Sequence, residues 1–411
     1  MSSIYKILHT ADWHLGKRLM DYSRLEEQRD VMDELVEMAD RESVDAVVIA
    51  GDLFDVFHPS HEAQDLFYKT LFRLSKNGQR PVIAIAGNHD SHALIEAPLP
   101  LAKELGIILL GANQQMIAPM TNAAGVEIAA PENGVVTLRY PDGRPPMVML
   151  TAPYANEMLL KIYLGNEDRE DDLRELLREK WNQLAQKYFT SDSINVFIGH
   201  FFFMKEGGTA EEEPEGERSI LHIGGAQAMY TDHLPDGLHY AALGHLHRYQ
   251  IVDNRRFPVV YSSAVLNYSF SEAGQEKYGV IVSLGGETSL KPITLERGYK
   301  LHRVEFSVLQ DALDWLAEHQ NTYVELTFVT DDSLDAATRK ALMTAHERIV
   351  HLIPKRRNQE AQDGSRIKAE DLQLDVPSLF EKFYAQQNNG IAPNEELMEL
   401  LKEVMNKGGD E

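Results

Sequence analysis

The sequence predicts an α/β fold built on a largely parallel sheet, followed by a small α/β domain and C-terminal helices. Three observations carry that prediction. Short apolar, β-branched runs alternate with helical patterns through the first part of the chain, the order that builds a parallel sheet. Five of those runs stop at a short motif rich in Gly, Asp, Asn and His, as buried strands do where they meet a loop. From residue 297 a compact β-α-β-α-β pattern repeats the alternation on a smaller scale.

The elements follow in order. Lys6-Ile7-Leu8-His9-Thr10 reads as a strand, residues 24–38 as a helix, Ala46-Val47-Val48-Ile49-Ala50 as the next strand and residues 62–74 as the next helix. Val82-Ile83-Ala84-Ile85-Ala86 is a third strand. Residues 134–150 predict a hairpin turning at Pro141-Asp142-Gly143-Arg144, because Pro, Asp and Gly supply turn backbone. Residues 167–189 predict an amphipathic helix: Leu173, Leu176, Leu177, Trp181, Leu184 and Tyr188 recur at three- and four-residue spacing, a core-packing stripe. Ile194-Asn195-Val196-Phe197-Ile198 and Tyr240-Ala241-Ala242-Leu243 are further strands. Between them, residues 205–219 carry Glu211-Glu212-Glu213-Pro214-Glu215, a solvated acidic loop or a rim beside His200. Strand patterns resume at residues 259–261 and 278–282.

Arg297-Gly298 marks a boundary, and the expected domains are residues 1–296, 297–355, a linker over 356–373 and residues 374–411. The linker is polar and rich in Gln and Arg. Two short amphipathic helices close the chain, over residues 378–387 and 394–405, separated by Asn388-Asn389-Gly390.

Composition sets limits on function. The 411 residues are 43% hydrophobic and 25% charged, a soluble globular balance, and no apolar stretch approaches the length of a membrane span. Met1-Ser2-Ser3-Ile4-Tyr5-Lys6 leads straight into a strand and does not read as a signal peptide. The absence of cysteine excludes disulfides and thiolate metal sites and fits the cytoplasm. A net charge of −24 opposes phosphate binding by the bare chain. Bound divalent ions and a basic partner would offset it. No G-x-x-x-x-G-K-[ST] loop is present, so ATP chemistry is not expected here.

The five strand-end motifs are Asp12-Trp13-His14, Gly51-Asp52-Leu53-Phe54-Asp55, Gly87-Asn88-His89-Asp90, Gly199-His200 and Gly244-His245-Leu246-His247. Singly, each has a bland reading. D-x-H is a helix cap beside a packed histidine, and GDxxD is a turn with an Asp cap. Together they gather carboxylate, imidazole and amide donors at the ends of adjacent strands, where ligands bind. His245 and His247 stand two apart, which on an extended segment puts both on one side. Such donors suit Mn²⁺, Fe²⁺ or Zn²⁺. There are too many for one ion, which points to a two-metal centre acting on phosphate esters.

In this order the motifs resemble the calcineurin-like metallophosphoesterase superfamily. Within it, His9-Thr10-Ala11-Asp12-Trp13-His14-Leu15-Gly16-Lys17 and Ala242-Leu243-Gly244-His245-Leu246-His247-Arg248 are similar to the SbcD nuclease-subunit family. Gly216-Glu217-Arg218-Ser219-Ile220, Gly224-Gly225, Ser269-Phe270-Ser271-Glu272 and Leu379-Phe380-Glu381-Lys382-Phe383 extend the resemblance. It implies a sandwich of two mixed sheets flanked by helices, with the small domain as a cap. It also implies two Mn²⁺ ions, with Mg²⁺, Fe²⁺ or Zn²⁺ as other occupants. Asp12, His14, Asp52 and His247 would hold one ion, Asp52, Asn88, His200 and His245 the other, with Asp52 as bridge. His89 would act on the leaving group, Asp90 would orient it, and Asp55 would orient a ligand or line the substrate channel. The implied partners are DNA, the coiled-coil ATPase SbcC and a second copy of the chain. A phosphatase or cyclic-nucleotide phosphodiesterase of the same superfamily, or a metal-free scaffold on its fold, are the alternatives.

Overall fold

A computed structural model describes residues 5–111, 116–154, 170–208, 229–331, 334–357, 376–387, 393, 397–398 and 401. Two sheets form the larger part. The six-stranded sheet runs Ser289–Thr294, Tyr278–Leu284, Tyr5–Thr10, Ala46–Ala50, Val82–Ile85, Ile107–Leu110. Its last four strands are parallel, and Tyr278–Leu284 pairs antiparallel to Tyr5–Thr10. The eight-stranded sheet has a parallel centre of Met147–Ala152, Ile194–His200, Tyr240–Gly244 and Val259–Tyr261. An antiparallel meander of Val135–Arg139, Glu127–Glu132 and Ile117–Thr121 extends one side, and Gln250–Asp253 closes the other. Both sheets are therefore mixed, with antiparallel strands added around the parallel centres that the strand-helix alternation predicts.

The strands read as continuous apolar runs because both faces are covered. Alternation by two then sorts each side chain to one layer. Ile7, Val48, Ile83 and Ile85 meet Met149, Val196, Ile198 and Ala242 between the sheets. Leu8, Val47 and Ile49 face the other way, onto Val31, Met32 and Leu35 of the helix Leu25–Arg41 and Phe67 and Leu71 of the helix His61–Leu74. Phe197 and Leu150 pack on Trp181 and Leu184 of the helix Glu170–Tyr188. Of the predicted stripe, Trp181 and Leu184 are core and Leu177 and Tyr188 pack against it, while residues 167–169 lie outside the described residues. The order of layers is helix, sheet, sheet, helix. Buried His9 ties the sheets: its Nδ1 lies 2.8 Å from the Tyr240 hydroxyl and its Nε2 3.2 Å from the Leu243 carbonyl. Burial pushes its pKa down to about 3, so it is a neutral structural link.

The hairpin of residues 134–150 forms as expected, Met147–Ala152 against Val135–Arg139. After residue 298 come Lys300–Phe306, Leu309–Glu318, Thr322–Thr330, Ala336–Ala345 and Ile349–Arg356, the β-α-β-α-β order read from the sequence. The three strands form one sheet with Thr322–Thr330 central. The chain divides into two compact units. One comprises residues 1–304, 317–325 and 346–351, the other residues 305–316, 326–345 and 352–411. The first C-terminal helix spans Val376–Gln387. Most of the acidic loop (209–219), the linker from residue 358 and most of the second C-terminal helix lie outside the described residues. Among the described residues no helix is long and apolar enough to cross a membrane.

Candidate metal centre

The five motifs follow parallel strands of the two sheets, and their loops meet at one end of the sandwich. Backbone bonds fix the first two against each other. Asp12 N donates to Gly51 O at 3.0 Å, His14 N to Asp52 O at 2.9 Å and Leu15 N to Leu53 O at 3.1 Å. Four residues here hold positive φ although none is glycine: Asp12 (52°), His14 (43°), Asp52 (48°) and His245 (110°). Such backbone costs about 1–3 kcal/mol per residue and persists where surrounding structure enforces it, commonly at functional sites. The loops around these residues are tightly packed. A Cβ on Gly87 would collide with the Asp52 carboxylate and amide, and one on Gly244 with the Ala50 carbonyl.

Three groups of ligand-type atoms lie within 4.8 Å of one another: Asp12, His14 and His247; His14, Asp52 and His89; Asp52, His200 and His245. The Asp52 Oδ2 atom stands between the groups, 3.6 Å from His14 Nε2 and 3.3 Å from His200 Nε2. His14 Nε2 and His247 Nε2 approach to 3.0 Å, and His200 Nε2 lies 2.8 Å from Asn88 Oδ1. Asp12 Oδ1 accepts from His245 N at 2.9 Å, and Asp52 Oδ1 accepts from His89 N at 2.9 Å. All seven predicted ligands are buried, Asn88 being the most exposed at 8%.

The electrostatics call for added positive charge. Asp12 Oδ2 and Asp52 Oδ2 are buried and accept no hydrogen bond among the described residues, and an unsatisfied buried carboxylate oxygen is costly. Burial pushes the Asp12 pKa up to about 7, against the pull of His200 and His247. Burial also works to raise Asp52, but His200, His14 and His89 hold it well below the usual carboxylate range. Burial lowers His200, yet the Asp52 and Asp12 charges leave it raised, to about 9. Paired carboxylates with open oxygens, ringed by imidazoles and an amide, fit hard-to-intermediate divalent cations.

Residues outside the predicted set hold the histidines by their rings or their backbone carbonyls. His247 Nδ1 lies 3.4 Å from Glu272 Oε1, and Lys277 Nζ donates to Glu272 at 2.6 Å and to the His247 carbonyl at 2.7 Å. Burial works against the Glu272 charge, but Lys277 and His247 keep it well below the ordinary range. Gln28 Nε2 donates to the His14 carbonyl at 2.8 Å. His200 Nδ1 faces the Ala50 carbonyl at 2.8 Å, which leaves Nε2 toward Asn88 and Asp52. Contacts of this kind set ring orientation and basicity in metal sites. The signal for Glu272 was present, since Ser269-Phe270-Ser271-Glu272 forms an S-x-x-E capping box. Nothing local in the sequence shows that the glutamate also reaches His247.

His89 sits edge-on to His14, ring centroids 4.8 Å apart, with Nδ1 2.7 Å from the Asp55 carbonyl oxygen. One expectation is corrected here. Asp90 does not orient His89. Its carboxylate accepts from the amides of Gly87 (2.8 Å), Phe54 (2.9 Å) and Leu53 (3.0 Å), because three buried N–H groups of the two loops need an acceptor. Burial and the Asp52 charge push its pKa up to about 6 in spite of those donors. Asp90 is therefore a clamp between the GDxxD and GNHD loops. Asp90→Ala should cost about 3 kcal/mol by stranding these amides, seen as a lower urea midpoint with an unchanged slope. The Asp55 carboxylate takes Lys17 Nζ at 2.8 Å and stands 3.8 Å from His14 Nδ1.

The profile of the calcineurin-like phosphoesterase family matches residues 5–249, which contain every strand-end motif. A second profile, described as the type 5 capsule protein repressor C-terminal domain, matches residues 298–388. The SbcD polypeptide of the SbcCD nuclease of Bacillus subtilis (strain 168) is 34% identical over 97% of this chain and 97% of its own length. The chain belongs to the SbcD nuclease family. The SbcD polypeptide of Rhodobacter capsulatus is 33% identical over 73% of this chain and 71% of its own. A dimetal phosphatase of Danio rerio aligns over 72% of this chain and 100% of its own at 13% identity, with a TM-score of 0.38, too distant to add to the argument. As an SbcD-family member the chain is a metal-dependent nuclease, and its phosphoesterase domain binds divalent metal. The motifs at 216–220 and 224–225 lie outside the described residues.

Proposed function

We propose that this SbcD-family chain is a dimanganese DNA exonuclease and endonuclease that cleaves phosphodiester bonds at double-strand ends and hairpins. The proposed division is Asp12, His14, Asp52 and His247 around one ion, and Asp52, Asn88, His200 and His245 around the other. The observation that carries it is the Asp52 Oδ2 atom, placed between His14 Nε2 and His200 Nε2 and accepting no hydrogen bond among the described residues. Two divalent ions held there would polarise the phosphate and activate water for in-line attack. The chain's own residues prepare the rest. With the His89 Nδ1 proton donated to the Asp55 carbonyl, Nε2 is the nitrogen left for the departing ribose oxygen, and the doubly protonated ring would deliver a proton there from Nε2, returning to the neutral Nδ1–H form. Burial of the cluster excludes bulk water and strengthens each electrostatic contact.

Two Mn²⁺ ions offset only part of a net charge of −24, so the proposal includes a partner of the SbcC type to share the DNA, in the cytoplasm. The name of the relatives, as one component of an SbcCD nuclease, supports it. Residues 297–355 serve as the cap and residues 374–411 as the partner-binding segment. The match that opens at residue 298 supports the first boundary. A homodimer is supported by Tyr68 and Phe72, one helical turn apart and 36% and 44% exposed.

The test is cleavage of end-labelled duplex, hairpin and single-stranded DNA with Mn²⁺, with and without the ATPase partner. Expected are Mn²⁺-dependent cuts in single strands by the chain alone and duplex digestion only with the partner and ATP. Hydrolysis of a p-nitrophenyl phosphodiester with no cleavage of DNA would instead support the small-substrate alternative.

A further inference from the structure

Tyr268 lies against two of the metal-site imidazoles and belongs to none of the five strand-end motifs. It is buried. Its ring stands edge-on to His14, with centroids 5.4 Å apart and planes at 75°, and to His247 at 6.1 Å and 68°. The two imidazole centroids are themselves 4.9 Å apart. Each of the three rings therefore meets the other two at the spacing of edge-to-face aromatic pairs.

The Tyr268 ring is held from both sides. Its hydroxyl donates to the Trp13 carbonyl and accepts from Gln28 Nε2 at 3.0 Å. The same Gln28 nitrogen binds the His14 carbonyl, and Gln28 Oε1 accepts from Gly16 N at 2.9 Å. Tyr268 N donates to Glu272 Oε1 at 3.2 Å, the oxygen that faces His247 Nδ1. One residue thus joins the loop of His14 to the carboxylate beside His247.

Such a brace answers a need. His14 follows the strand Tyr5–Thr10 of one sheet and His247 the strand Tyr240–Gly244 of the other. No local geometry sets their spacing, yet their Nε2 atoms meet at 3.0 Å. The Trp13 carbonyl sits between Asp12 and His14, both at positive φ, a backbone that persists where the surroundings constrain it. A planar ring packed on both imidazoles limits their rotation, and rotation decides whether the two Nε2 atoms converge.

We infer that Tyr268 is a positioning residue that holds His14 and His247 at the spacing of co-ligands to one ion; this rests on the metal assignment above. The ring sets the imidazoles, and the hydroxyl sets the ring.

The experiment is Mn²⁺ titration calorimetry on the native full-length chain, Tyr268→Ala and Tyr268→Phe. Tyr268→Ala should weaken one of the two Mn²⁺ events by about 10–100-fold, the usual loss when a residue that orients a ligand is changed. The other event should keep its native affinity, whereas a merely structural defect would weaken both or neither. Tyr268→Phe keeps the ring and should return most of the lost affinity. Should Tyr268→Ala fail to fold, Tyr268→Met fills the space with a flexible chain and should give the same split between the two events. Equal weakening of both events, weakening of neither, or a Tyr268→Phe chain as weak as Tyr268→Ala would overturn the inference. A native chain that binds fewer than two Mn²⁺ ions removes the two-ion reading itself, and the inference with it.

Discussion

Asp52→Asn is expected to abolish DNA cleavage and to weaken both Mn²⁺ sites together. The substitution keeps the shape and removes one charge. The Oδ1 position still accepts the His89 amide, bonded at 2.9 Å in the native chain, so the loops stay in place. What is lost is the anionic Oδ2 between His14 and His200. Those imidazoles hold Asp52 ionised against the cost of burial, and they in turn are aimed at it. Changing a residue that merely orients a ligand costs metal sites about 10–100-fold in affinity. A carboxylate shared by two ions should exceed that at each. Titration calorimetry with Mn²⁺ reads both events. Two binding isotherms matching those of the native chain would end the bridging assignment, while loss of one alone would place Asp52 in a single site.

The sequence exposed the ligand set because that information is local. A parallel strand covered on both faces must be a continuous apolar run, as Ala46–Ala50 and Val82–Ile85 are, so its end is visible wherever polar residues begin. Apart from the hairpin of residues 134–150, the pairing of the antiparallel additions was not visible. Tyr278–Leu284 pairs with Tyr5–Thr10 across more than 260 residues of chain, and nothing in either strand names the other. A gap of 25 and 30 residues likewise hides Glu272 and Lys277, which reach His247 only through the fold. Asp90 misled for a different reason. A carboxylate next to a histidine in sequence reads as its orienting partner, whereas the fold gave the carboxylate to three amides and the histidine to a backbone carbonyl. Every residue carries a carbonyl, so Asp55 could not be chosen from the sequence by its oxygen. The positive φ at Asp12, His14, Asp52 and His245 was equally hidden, since none of the four is glycine.

His89→Ala should keep both metal sites and lose cleavage by roughly 10²–10⁴-fold, the usual contribution of a positioned acid or base. Alanine retains the backbone amide that Asp52 Oδ1 accepts, so the bridging carboxylate keeps its place. It removes the ring whose Nδ1 faces the Asp55 carbonyl and with it the Nε2 proton that the doubly protonated ring would deliver. The geometry also offers a competing outcome. His89, His14 and Asp52 place ligand-type atoms within 4.8 Å of one another, close enough to share an ion. Metal content and rate therefore have to be measured on the same preparation. Two ions per chain with slow cleavage assigns His89 to the leaving oxygen. One ion per chain makes His89 a ligand, and the proton must then come from elsewhere. A leaving group that needs no proton separates the cases further. With a p-nitrophenolate ester the variant should recover most of its rate if His89 is the acid, because p-nitrophenolate departs unprotonated. It should recover none of it if the loss lies in metal binding.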